Sequence, residues 1–99
     1  MAKVQMHHPE GHRAPSIEES MYELVRAAIL DALPTSGPGV AFRDLGDEVA
    51  ARTPAELWAR ASLGWYTTVV KLDLEAREEI YRVPDVVPQR LLRRGRRVR

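Results

Sequence analysis

The chain has 99 residues, 44% hydrophobic and 29% charged, with no cysteine. That is one domain with one modest core, and it excludes disulfides and thiolate chemistry. The formal charge of +1 conceals a split: residues 1–76 hold seven Lys or Arg against eleven Asp or Glu, and residues 77–99 hold eight Arg against three acids, so a body of −4 precedes an end of +5. Such a chain differs from a uniformly basic nucleic-acid binder. The first twenty residues carry no apolar leader and no apolar run approaches the roughly 20 residues of a membrane span, so a cytoplasmic protein is expected.

Pro9, Gly11 and Pro15 mark residues 1–15 as an extended segment, with a short strand expected at Val4–Met6. Ser16-Ile17-Glu18-Glu19 has the form of a capping box and predicts that a helix begins there. Met21, Leu24, Val25, Ala28, Ile29 and Leu33 come next at helical spacing as its core face. Pro34 ends it, and residues 35–39 are a loop. A second helix is predicted over Ala41–Arg52, with Phe42, Leu45 and Val49 inward.

Thr53-Pro54-Ala55-Glu56 predicts a third, short helix, with Thr53 as its cap, running to Ala61. Ser62 offers the cap of another, from Trp65 to Glu78. There Trp65, Val69, Leu72 and Ala76 form one apolar face, which Tyr66, Val70 and Leu74 broaden; Leu72 is expected in the core against Leu24, Ile29 and Leu45. The period then changes to two. Ile80–Val83 and Gln89–Arg93, separated by a proline-bounded turn, predict a hairpin. Residues 94–99 are too charged to pack and are expected to form a mobile basic tail.

Three helices and then a hairpin is the order of a winged helix-turn-helix. The run Val70-Lys71-Leu72-Asp73-Leu74-Glu75-Ala76, continuing to Ile80-Tyr81-Arg82-Val83, resembles the end of that superfamily's recognition helix and its first wing strand. The whole chain, over roughly residues 5–94, also resembles a group of small bacterial winged-helix-like proteins of unknown function. The shared features are His8-Pro9-Glu10-Gly11, the Tyr22–Leu30 helix, Gly64-Trp65, Leu72-Asp73-Leu74-Glu75-Ala76 and Pro88-Gln89-Arg90-Leu91. The resemblance implies a mainly α fold with a small β-hairpin, winged helix-turn-helix-like over residues 16–93, and brings no activity with it. Two departures stand against classical major-groove docking. Glu78 occupies a position where the superfamily has Gly, so the helix is expected to close without a left-handed residue. Residues 54–61 also lengthen the link ahead of the recognition-like helix.

No nucleophile elbow, phosphate loop or carboxylate pair in a recognisable catalytic setting is present, so neither enzyme activity nor a cofactor is expected. His7, His8 and His12, with Glu10, could be imagined around a metal, but neighbouring residues of an extended segment point apart; no metal site is assigned. Two functional readings remain. In the first, duplex DNA is the partner. Ser62, Thr67, Thr68 and Lys71 enter a groove while Arg82, Arg90, Arg93 and Arg94 hold phosphates. In the second, the scaffold is a protein-interaction module or homodimer, with Leu57, Trp58 and Leu63 as interface and the N-terminal segment assisting. A basic face joining Lys71 to the wing favours the first; its absence favours the second.

Overall fold

The computed structural model describes residues 2–95. The expected tail therefore lies outside the described residues beyond Gly95. The elements in chain order are β1 (Lys3–Gln5), β2 (Ser16–Glu18), α1 (Glu19–Ala32), β3 (Val40–Ala41), α2 (Phe42–Ala50), a 3-10 turn (Ala55–Ala59), α3 (Leu63–Ala76), β4 (Ile80–Arg82) and β5 (Arg90–Arg93). β1 and β2 form an antiparallel pair, and β3, β5 and β4 form a separate antiparallel sheet in that order.

The capping box does not cap. Ser16–Glu18 is a strand, paired through Val4↔Ile17, and it carries Ile17 into the core. The Ser16 hydroxyl donates to the Gln5 side chain, and the first amide of α1, from Glu19, donates to the Ala2 carbonyl. A backbone group from the N-terminal segment thus satisfies an orphan donor that the local pattern assigns to a side chain. The segment is extended as expected, but it is also built into the domain: Met6 is only 2% exposed.

α1 ends before Pro34 as expected. Its buried residues are Tyr22, Val25, Ala28 and Ile29, with Leu33 beyond its end, whereas Leu24 is exposed. β3 has no counterpart among the predicted elements. Its two residues pair with β5 through Val40↔Leu91 and Ala41↔Arg90. Gly39 permits this approach: its φ is +78°, and a Cβ there would stand 2.5 Å from the Leu91 carbonyl oxygen. α2 buries Leu45 and Val49. Thr53 does not cap the next segment. Its hydroxyl donates to the Val49 carbonyl and accepts from Trp58 Nε1, and residues 55–59 close as a single 3-10 turn.

α3 starts where the sequence places a cap, with the Ser62 hydroxyl accepting the Trp65 amide at 3.1 Å. Its rotation about its own axis differs from the expectation. Val70 and Leu74 are fully buried, Thr67, Lys71 and Asp73 are buried with them, and Leu72 is only half-buried and lies outside the core cluster. Its C-terminus also corrects the expectation for Glu78, which takes the left-handed conformation, φ +62°. Glu79 N–H reaches the Leu74 carbonyl and Glu78 N–H the Glu75 carbonyl, the two bonds of a Schellman closure. The turn sends the chain into β4, which pairs with β5 as the predicted hairpin. The core joins Met6, Ile17, Val25, Ile29, Leu45, Val49, Val70, Leu74, Ile80 and Leu91. Among the described residues no helix is long and apolar enough to cross a membrane.

Candidate functional site

α3 lies between the N-terminal segment and α1 on one side and α2 and β4 on the other, and each side meets a buried polar residue of the helix. Toward the N-terminal segment is Asp73, with no exposure. Its Oδ1 accepts from the His7 amide at 2.9 Å and lies 3.3 Å from His7 Nδ1. Its Oδ2 accepts from Tyr22 Oη and from Arg77 Nε, both at 2.8 Å. A buried carboxylate is tolerable only with such partners. Burial, and then the bond to Asp73, push the Tyr22 phenol up to about 12.

On the other side, Lys71 is 2% exposed, 2.6 Å from Glu75 and 4.8 Å from the centre of the Phe42 ring. Burial lowers its affinity for the proton, and Glu75 partly offsets this. Glu75 also accepts from Arg82 at 2.8 Å. The outer face of α3 then consists of Trp65 (46% exposed), Thr68, and the half-buried Leu72 and Ala76, a helical stripe without a charge. Beside it, between α2 and α3, a pocket of about 220 Å³ is lined by Phe42, Arg43, Gly46, Gly64, Thr67 and Thr68. The Thr67 hydroxyl is buried without a hydrogen-bond partner.

The residues expected to meet DNA are therefore not brought together. Ser62 is a helix cap, Thr67 and Lys71 face inward, and only Thr68 is exposed on the outer face. Arg82 is paired with Glu75. Arg90 donates to the carbonyls of Pro38 and Gly39, bracing the loop before β3. Arg93 Nε donates to the Leu33 carbonyl at the end of α1, and Arg94 lies over the Tyr81 ring. The residues expected at an interface are not fully exposed either. Leu57, Trp58 and Leu63 are half-buried, and Trp58 and Leu63 pack on the core. The exposed indole is that of Trp65, which meets Tyr66 edge-on. His7 turns to Asp73, while His8 stacks on His12 and His12 lies 3.6 Å from Glu10.

The sequence pattern does not mark one further grouping. Arg26 of α1, Arg77 after α3, and Arg93 and Arg94 line a cleft of about 680 Å³ with Leu30, Glu78, Glu79 and Gly95. Arg26 and Arg77 are 51 positions apart in the chain, so only the folded structure unites them. The i,i+4 spacings Lys71–Glu75 and Asp73–Arg77 are the one signal in the sequence that α3 holds charge pairs.

A model described as a family of unknown function (DUF6958) matches residues 3–91, and the chain belongs to that family. No curated protein and no solved structure matches it.

Proposed function

We propose that this member of DUF6958 is a winged-helix scaffold that acts as a protein-interaction module, not as an enzyme or a reader of DNA sequence, and that the partner its α3 face fits is a second copy of the chain. The scaffold reading is supported by the order α1, β3, α2, α3, β4, β5 and by the pairing of β3 with the closing hairpin. The interaction reading is carried by one observation, the inverted polarity of α3. Lys71 and Asp73 are inside while Trp65 and Leu72 are turned outward. Burying a lysine and an aspartate stabilises little even when both are paired. An apolar stripe left outside is the usual sign of a surface that meets another protein.

A recognition helix needs cations or amides on its exposed face to meet base edges and phosphates. Here that face offers only the Thr68 hydroxyl. Self-association is favoured by shape. Trp65 stands between Gly64 and Thr68, which line the adjacent pocket, so one face bears a projecting indole next to a recess. A two-fold interface needs such a self-complementary patch, in which each copy fills the other.

Sedimentation velocity over a wide concentration range tests this. The expected result is a monomer–dimer equilibrium, shifted to monomer by Trp65→Ala and unchanged by Trp58→Phe. A parallel titration of duplex DNA at low salt is expected to show no binding that depends on Thr68. A strictly monomeric wild type, or sequence-dependent duplex binding abolished by Thr68→Ala, would overturn the reading.

A further inference from the structure

We infer that the cleft lined by Arg26, Arg77, Arg93 and Arg94 is a binding site for a small phosphate-bearing molecule. Its first support is the way each guanidinium is held. Arg26 is fixed by Glu79 of the chain turn after α3. Arg77 is fixed by Asp73 at 2.8 Å and, through Nη2, by the Gln5 carbonyl at 3.5 Å, which still leaves it three N–H donors. Arg93 is fixed through Nε by the Leu33 carbonyl. Arg94 is fixed over the Tyr81 ring, 5.0 Å from its centre. A guanidinium has five N–H donors, so one anchoring contact leaves most of them available. Four cations positioned before a ligand arrives lose little side-chain entropy when it binds.

The second support is charge. Arg26 and Arg77 have carboxylate partners, but among the described residues Arg93 and Arg94 have none within ion-pair distance. Two carboxylates line the cleft, Glu78 and Glu79, and Glu79 is occupied by Arg26. The cleft keeps a positive balance.

The third support is direction. The arginines come from α1, from the end of α3 and from β5 and its exit, so they enclose the space from several sides. A planar carboxylate presents two coplanar oxygens and is matched by one fork. A tetrahedral phosphate presents oxygens in several directions and suits forks from several elements. The volume is that of a small-molecule site. The interaction proposed above is carried by Trp65 on the outer face of α3 and uses none of these four arginines, so the two proposals are tested separately.

The test is a titration of the protein with inorganic phosphate at constant ionic strength, monitored by NMR of the arginine Nε–H and backbone amide signals. Saturable shifts are expected for Arg93, Arg94, Glu79 and Gly95, with chloride giving none. Arg94→Gln, which removes a cation held only by a ring, is expected to weaken binding about fivefold or more while leaving the amide spectrum native. Arg93→Gln should do the same if its spectrum shows it folded, and Arg60→Gln, an exposed arginine outside the cleft, should change nothing. Shifts that rise linearly without saturation, or an affinity the same in Arg94→Gln, would show general charge screening and overturn the inference. Displacement of the phosphate by stoichiometric duplex DNA would assign the site to a polymer backbone and overturn the small-ligand reading.

Discussion

Tyr22 offers a test of the buried network in which the direction and the pH window are both fixed in advance. The residue is 6% exposed and its phenol donates to Asp73, and the phenol's affinity for the proton corresponds to about 12 in the fold against about 10 in an unfolded chain. A folded value above the unfolded one means that the protonated phenol stabilises the fold at every pH below about 10. That contribution is lost as pH rises from about 10 through about 12. Two pH units at about 1.4 kcal/mol each give an upper size of roughly 3 kcal/mol, of which about half is gone by pH 11. In Tyr22→Phe the titrating group is absent. Near neutral pH the variant should be less stable by about 1.5–3 kcal/mol, because a charged acceptor loses a donor. Above pH 10 the wild type alone should weaken, and the gap should narrow by about 1 kcal/mol by pH 11. Urea unfolding monitored by tryptophan fluorescence, run on both proteins from neutral pH to about pH 11, measures this difference and cancels every other group that titrates. Two stability curves that stay parallel through this range would refute the placement of Tyr22 against Asp73.

Glu78→Gly should stabilise the domain by about 0.5–1 kcal/mol in chemical denaturation, since φ +62° at Glu78 costs an L-residue about 1–2 kcal/mol. Leu74→Ala should cost about 2–5 kcal/mol and Leu72→Ala clearly less, below about 1.5; the reverse order in thermal or urea unfolding would put the rotation of α3 in error. Gly39→Ala should cost about 2 kcal/mol or more, because a methyl 2.5 Å from the Leu91 carbonyl cannot fit without parting β3 from β5. Gly37→Ala, equally left-handed but with open space around it, should lose only about 1 kcal/mol in the same melts. Lys71→Met should change stability by less than about 1 kcal/mol in urea unfolding, because Glu75 keeps Arg82, whereas Glu75→Leu should cost about 3–5 kcal/mol by leaving the Lys71 ammonium buried alone.

Where a local signal has no competitor, the sequence is sufficient. Pro34 ends α1, Ser62 caps α3, and the alternation from Ile80 onward becomes the hairpin. Where a tertiary partner outcompetes the local signal, the reading fails. Ser16-Ile17-Glu18-Glu19 has the chemistry of a cap, but strand pairing with Lys3–Gln5 buries Ile17, and the Ala2 carbonyl takes the donor that a cap would satisfy. Val40–Ala41 is too short to show a period at all. Glu78 has none of the conformational freedom that marks a left-handed site, so its φ is visible only in the bonds that close around it. The arginine cleft joins residues from three elements, and periodicity carries no information of that kind.

The rotation of α3 has the most consequence for function. Periodicity assigns the apolar side of a helix to the core, which presumes that the polar residues have nothing to bind inside. Here they do. Asp73 finds His7, Tyr22 and Arg77, and Lys71 finds Glu75 and Phe42. Those partners make it possible for Lys71 and Asp73 to be inside, and with them inside, Trp65 and Leu72 are turned outward. The same arrangement leaves the residues expected to meet DNA without a common exposed face. Lys71, the one cation on α3, is withdrawn, and Glu75 neutralises Arg82 at the end of β4. The network that builds the α3 surface thus removes charge from it. Arg93 and Arg94, which among the described residues have no carboxylate within ion-pair distance, line the cleft beyond the helix's C-terminal end. The inward-facing ion pairs therefore leave α3 an uncharged outer face, while the cationic cleft is lined by arginines of α1, of β5 and its exit, and of the residue that follows α3.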